Sequence, residues 1–586
     1  MSQSHTPLPD REQIANLEVG QTNITHGMCV VLTATFLAVI CAVPIAQQGR
    51  EWLTARAEGK SEWPQAFSIF AALPAAANDF LGNSAMPLVD RIFSANGVLL
   101  RAASHYETEL EDRSFLAEYF IPRVQQFTSR WLGLGNEQVY LGREGWLYYR
   151  PGVDYLTGPG FLNPAFQKRR SLTGDASVGA AVQPDPVAAI VDFKNQLAER
   201  NIHFILMPIP DKAMIEPEFL SPRYTASGGG PLQNPSYPAF LAALNKEGVD
   251  VLDVTDALWR DKQSTGQPQY LKTDTHWTPE GMQRAASLLA EKIQGLEGVD
   301  RRAPLDLAAT EKLVEAQGDI AAMLKLPQGS DLYPSQKVLI HPVRRATDGQ
   351  PWTADPSASI LLLGDSFSNI YSLEPLGWGA SAGLTEQLSL ALHQPVDALL
   401  RNDAGAHATR ELLVKEASQG RDRLAGKKLV VWQFAMRELA VGDWKILKIP
   451  TVENSRPPQD PAKEGGFFVP AKGEVIEVEG TVAARSSTPR PGTVPYKDQI
   501  FSVHLTGITG GNKSASGQAV VYLFGMKDNQ LTSVSAWKVG DRVKLKLRPW
   551  ADVASEYERF NRSELDDAEL QLEIPTWGEL PANSKP

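Results

Sequence analysis

Between residues 186 and 436 one pattern recurs: short, mostly apolar runs separated by longer amphipathic stretches. "AAIVDFKNQLAERN" leads into "IHFILMPIP", and "YPAFLAALNKEG" into "VDVLDV". "TPEGMQRAASLLAEKIQGL" reads as a helix capped by Thr278 with Pro279 at its first position. "ASILLLGDS", "GLTEQLSLALHQ", "VDALLRND", "HATRELLVKEA" and "KKLVVWQF" continue the series. A strand with no polar alternation is covered on both faces, and a helix between two such strands is the crossover a parallel pair needs. The pattern predicts an α/β domain over residues 139–450, with a mostly parallel sheet and helices on both faces.

At 586 residues, the chain is too long for that domain alone. Residues 47–138 carry apolar positions at helical spacing and predict a helical stalk or layer. The Pro-, Gly- and charge-rich residues 451–470 read as a linker. Four short strand patterns follow in 471–550 and predict a small β domain, OB-like or a sandwich. The polar segment 551–586 is expected to wrap the surface as a tail. A net charge of −11 without a long basic run argues against a nucleic-acid partner.

A polar tail, residues 1–26, precedes the uncharged run Gly27–Ala46, which matches the length of a bilayer core. No A-x-A cleavage site follows directly on the run, so an uncleaved transmembrane anchor is expected rather than a signal peptide. Both cysteines, Cys29 and Cys41, lie within the run, leaving the rest of the chain without disulfide or thiol chemistry.

Ligand and catalytic sites of parallel sheets form beyond the carboxyl ends of strands. "SILLLGDS" puts Ser366 at such an end, with Gly364 permitting a sharp turn. A serine there is either a helix cap or a nucleophile, and a nucleophile needs a base. Of nine histidines, His276 in "YLKTDTHWTPEG" stands out. In an extended backbone Asp274 and His276 project to one side, so the carboxylate can orient the imidazole and leave its other nitrogen for a serine. "LLRNDAGAHATR" supplies a third strand end, where Asn402 and the Gly405 backbone are candidate oxyanion donors beside the Ser366 N–H. Trp277 offers either a face for a sugar ring or simple packing.

"DTHW" (274–277) upstream of "GDSF" (364–367) resembles the SGNH-hydrolase-like alginate O-acetyltransferases of the AlgX/AlgJ type, and "GREGWLYY" and "PIPDKAMIEPE" are similar to segments of that family. The resemblance implies Ser366 as nucleophile, His276 as general base and Asp274 as its orienting acid. It also makes Lys212, Arg410 and Arg437 candidates for lining the pocket. It implies an acetyl-serine intermediate, a polysaccharide acceptor, no cofactor, and a membrane-bound O-acyltransferase as acetyl donor. The flanking charges, Arg11 before the anchor against Arg50, Arg56 and Lys60 after it, favour a cytoplasmic bulk. The resemblance instead implies a single-pass protein of the bacterial inner membrane with its catalytic domain in the periplasm.

Three rival readings remain. A carbohydrate esterase would use the same triad with water as acceptor. A polysaccharide-binding or assembly protein would keep the fold without the chemistry. A metal phosphoesterase would recruit Asp274, His276 and Asp365.

Overall fold

The computed structural model describes residues 25–581 apart from 58–66, 68–69, 71, 83–86, 113, 173–181, 225–228, 297–303, 403–404, 451–465, 492–493, 495, 511–512, 566, 568–569 and 572. Most of the expected N-terminal tail and of the 451–470 linker, and the final five residues, lie outside the described residues. The chain divides into two compact units, residues 1–121 and 122–586. Most of the first unit's described residues are helical, in helices that include His26–Ala57, Ala72–Gly82 and Leu88–Asp112. The expected anchor is the opening part of His26–Ala57, a helix long and apolar enough to cross a membrane, with none of its residues buried.

The second unit is built on a five-stranded sheet: β1 (His203–Ile209), β2 (Asp250–Val251), β3 (Ile360–Gly364), β4 (Asp397–Leu400) and β5 (Leu429–Ala435). Their order is β4-β3-β5-β1-β2, and every pairing is parallel. All residues of β3, β4 and β5 are buried, in keeping with sequences whose only polar members are Asp397 and Gln433. The helices fall where the alternation puts them, including Pro279–Gln294 with the Thr278 hydroxyl accepting the Gly281 N–H. A helix not anticipated from the sequence, Thr255–Thr265, lies between β2 and that segment.

The alternation gives no hint of residues 304–352, where two antiparallel pairs form. Leu307–Ala309 pairs with Val343–Arg345, and Lys312–Ala316 with Gln336–Ile340. The short helix Asp319–Met323 sits between them in sequence.

The C-terminal domain contains β6 (Ile476–Arg485), β7 (Gln499–Gly510), β8 (Lys513–Lys527), β9 (Arg542–Pro549) and β10 (Thr576–Glu579). Pairings run β6–β7–β8–β10–β9 and back to β6, closing a five-stranded barrel with β8 and β10 parallel. This is the strand order of an OB barrel. Residues such as Val482, Phe501, Leu505, Val521 and Leu545 fill its interior. The 551–586 segment is therefore no surface wrap: it contributes the strand that closes the barrel. It was illegible as a strand because "TWGE" is too short to show alternation.

Candidate active site

Ser366 stands two residues beyond Gly364, the last residue of β3, and opens a single helical turn, Ser366–Asn369. Gly364 is required there for space: a Cβ would lie 2.6 Å from Ser368 Oγ and 2.9 Å from Gln433 Oε1. The turn is fastened by Asp365. Its Oδ1 accepts the Phe367 N–H (2.9 Å) and Gln433 Nε2–H (2.7 Å), and its Oδ2 accepts the Ala435 N–H (2.9 Å). Gln433 Oε1 in return accepts the Asp365 N–H (3.1 Å) and the Ser368 hydroxyl (2.6 Å).

His276 arrives from a bend between Tyr270 and Trp277, which bridge to each other. The extended geometry expected for Asp274–His276 is replaced by this bend: Leu271 N–H reaches His276 O (3.0 Å), and Asp274 Oδ1 accepts the His276 backbone N–H at 3.0 Å. The same Oδ1 lies 2.6 Å from Nδ1, while Nε2 is 2.8 Å from Ser366 Oγ. The arrangement links carboxylate, imidazole and hydroxyl in the order that lets the serine proton pass to Nε2. Serine and imidazole are both buried.

Asp274 Oδ2 accepts Trp378 Nε1–H (2.8 Å) and the Asp319 N–H (3.0 Å). Asp319 places Oδ2 3.8 Å from His276 Nδ1, and its Oδ1 accepts the Thr275 N–H (2.6 Å). Gly318 makes that approach possible, since a Cβ there would be 2.2 Å from Thr273 O. Burial would lower the imidazole pKa, but the Asp274 carboxylate outweighs it, with Asp319 adding to the effect, and the net shift is upward. Burial would raise Asp274, yet the facing imidazole and the hydrogen bonds hold it well below the usual carboxylate range. Burial and the charge of Asp274 push Asp319 up to about 6.

Asp274, His276 and Asp319 each offer one ligand atom within a 4.8 Å cluster. A cation there would face N–H donors already directed at both oxygens of Asp274. The donor set suits an orienting acid better than a metal ligand. Asp365, the third ligand of the phosphoesterase reading, has both oxygens taken by the turn it fastens.

Lys212 and Arg437 flank the triad. Lys212 Nζ donates to Leu147 O (2.8 Å) and Lys272 O (3.3 Å); burial pulls its ammonium down to about 7 against the opposing charges of Asp274 and Asp319. Arg437 pairs with Asp211 Oδ1 at 3.0 Å, its guanidinium 5.3 Å from the Tyr149 ring centroid and 5.7 Å from that of Phe367. Tyr149, Asp211, Lys212 and Thr275 line a cavity of about 10 Å³.

Other expectations change. Trp277 is fully buried and its Nε1–H donates to Phe367 O (3.1 Å), so it is a packing residue and presents no face to a sugar. Arg410 does not line this pocket: it donates to Lys445 O (2.8 Å) and lies over Trp432, 4.6 Å from the ring centroid. Trp432 and Gln433 alternate along β5, so Arg410 is on the sheet face away from the serine turn. Asn402 does stand at the end of β4, beside the serine strand, where Arg401 N–H bonds Gly364 O (2.9 Å). Its amide nitrogen, however, donates to Asn561 Oδ1 (3.0 Å) and Arg559 O (3.4 Å) of the C-terminal domain. Gly405 adopts φ +69° next to His407 and Glu438, which suits a turn.

Sequence reasoning missed Gln433, Asp319 and Trp378. Gln433 left a signal as the only polar residue in "LVVWQFA". Asp319 and Trp378 left none, because each reaches Asp274 across more than 40 residues of intervening chain.

Residues 139–436, over half of the chain, match the family described as SGNH hydrolase-like domain, acetyltransferase AlgX. The protein named "Probable alginate O-acetylase AlgJ" of Pseudomonas aeruginosa is 26% identical over 355 residues, 59% of this chain and 80% of that protein. Its namesake in Pseudomonas putida is 27% identical over 362 residues, with the same shares covered. The solved O-acetyltransferase domain of Pseudomonas putida AlgJ aligns at 22% identity and a TM-score of 0.38, over 52% of this chain and 92% of that one.

Proposed function

The chain belongs to the family of SGNH hydrolase-like AlgX acetyltransferases, and from that premise we propose that it O-acetylates an exported polysaccharide through an acetyl-Ser366 intermediate. The observation that carries this reading is the 2.8 Å contact of His276 Nε2 with Ser366 Oγ, on an imidazole whose Nδ1 is held by Asp274. His276 takes the serine proton as Oγ attacks the acetyl carbonyl of the donor. The C–O bond to the donor breaks, and the proton returns to the leaving oxygen. His276 then takes the proton of a sugar hydroxyl, which attacks acetyl-Ser366 and releases the serine hydroxyl. The Ser366 N–H, first in its helical turn and so without an intrahelical acceptor, is a donor for the oxyanion.

The relatives' names point to alginate as the acceptor polymer. The apolar helix His26–Ala57 holds the catalytic unit at the periplasmic face of the inner membrane, in reach of a membrane-bound O-acyltransferase that supplies acetyl groups. The test supplies the purified chain with an activated acetyl ester and candidate oligosaccharides, with Ser366→Ala in parallel. An oligosaccharide gaining one acetyl mass, lost in the variant, supports the reading. Acetate release with every sugar unmodified would replace it with the esterase.

A further inference from the structure

The helical turn that carries Ser366 has four residues, too few to hold its own orientation. Asp365 and Gln433 secure its beginning. Its far end is secured from outside the catalytic domain, by the segment between β9 and β10 of the C-terminal barrel. Arg559 O accepts Asn369 Nδ2–H (3.3 Å) and Asn402 Nδ2–H (3.4 Å). Asn561 Oδ1 accepts Asn402 Nδ2–H at 3.0 Å, and Asn402 Oδ1 accepts from Asn369 at 3.2 Å. Arg559 Nη1 donates to Ser372 Oγ (2.6 Å) and pairs with the buried Glu386 Oε1 (3.4 Å).

The holder is itself fixed. Residues 561–563 pair in parallel with Gln499–Phe501 of β7. Ser563 O accepts the hydroxyls of Ser486 (3.0 Å) and Ser502 (2.6 Å), and Phe560 packs edge-on against Phe524 of β8. Buried amide-to-amide contacts of this kind have directional geometry, and removing one partner strands the other away from water.

We infer that Asn561 and Arg559 of the C-terminal barrel are positioning residues for acyl transfer, clamping Asn369, Ser372 and Asn402 so that Ser366 keeps its line to His276. The clamp rests on the proposed acetyl-serine chemistry, but its structural half can be read separately. Arg559 and Asn561 act through the serine turn and through Asn402, neither being within the triad.

The test compares the full chain as wild type, Asn561→Leu and Asn561→Asp. Three quantities are read: the rate at which a sulfonyl fluoride labels Ser366, kcat and KM for an activated acetyl ester, and amide hydrogen exchange. Asn561→Leu removes the acceptor, and labelling and kcat are expected to fall at least about tenfold at near-constant KM. Exchange should accelerate in residues 365–373 but not in the barrel strands. Asn561→Asp keeps an acceptor oxygen for Asn402 and should restore both rates to within about threefold of wild type. A folded Asn561→Leu protein with wild-type kcat and wild-type exchange in 365–373 overturns the clamp. If the wild type itself is neither labelled nor active, the acyl-transfer reading fails. Exchange then decides the clamp alone, upheld by local acceleration and overturned by its absence. Should Asn561→Leu not fold, Arg559→Met, which removes only the contacts to Ser372 and Glu386, is read by the same criteria.

Discussion

Two carboxylates surround one imidazole, and their roles differ. Asp274 touches Nδ1 directly, while Asp319 stands 3.8 Å away and acts through charge. His276 must be neutral to accept the serine proton, so a raised pKa moves the acidic limb of kcat/KM to higher pH. Asp319→Asn removes one cause of that elevation, and its limb should shift to lower pH; an unchanged limb would show that Asp319 is only a scaffold. Asp274→Asn should lower kcat by about 10,000-fold, as loss of the orienting acid does in triads. The same elevation has a stability consequence. An imidazole raised on folding contributes stability fully present below the unfolded value of about 6.5, lost as pH rises through the folded value. Trp378→Phe leaves Asp274 Oδ2 short of its Nε1–H donor and should cost about 1–3 kcal/mol in denaturant unfolding, with a lower kcat.

Strands β3 and β5 together make the nucleophile turn. One brings Gly364 to the sheet edge, and the other projects Gln433 and the Ala435 N–H toward it. Gln433→Leu keeps the volume but strands Asp365 and Ser368, so the free energy of unfolding should fall by about 2–4 kcal/mol and sulfonyl-fluoride labelling of Ser366 should slow. The strands themselves were readable from "SILLLG" and "LVVWQF", because full burial leaves a nearly unbroken apolar run. Asp274, His276 and Ser366, which contacts at hydrogen-bond distance join, all lie inside the two quoted motifs, DTHW and GDSF. Trp277 was not readable: an indole following a catalytic histidine has the same spelling whether it faces solvent or the core. Arg410 misled for a related reason, since a helix following a strand end can present a side chain to either face. Residues 304–352 were opaque because their short antiparallel pairs carry too few residues to display a period.

At the scale of the molecule, the helix His26–Ala57 and the barrel set the context in which the triad works. The flanking basic residues and the proposed location disagree over which side the catalytic unit occupies. Protease added outside inner-membrane spheroplasts should digest the unit while the anchor stays in the membrane fraction; protection would reverse the orientation. The barrel's last strand, Thr576–Glu579, pairs with Val521–Tyr522 and with Lys546–Pro549. The residues gripping the serine turn lie between the two final strands, about two hundred positions after Ser366 in the chain. A ribosome adds residues in order, and domains generally form as they emerge. The nucleophile is therefore synthesised long before its support exists. Until the closing strand is made, the nascent protein carries Ser366 in a turn that lacks the proposed clamp, so on that proposal acetyl transfer waits for the barrel to form.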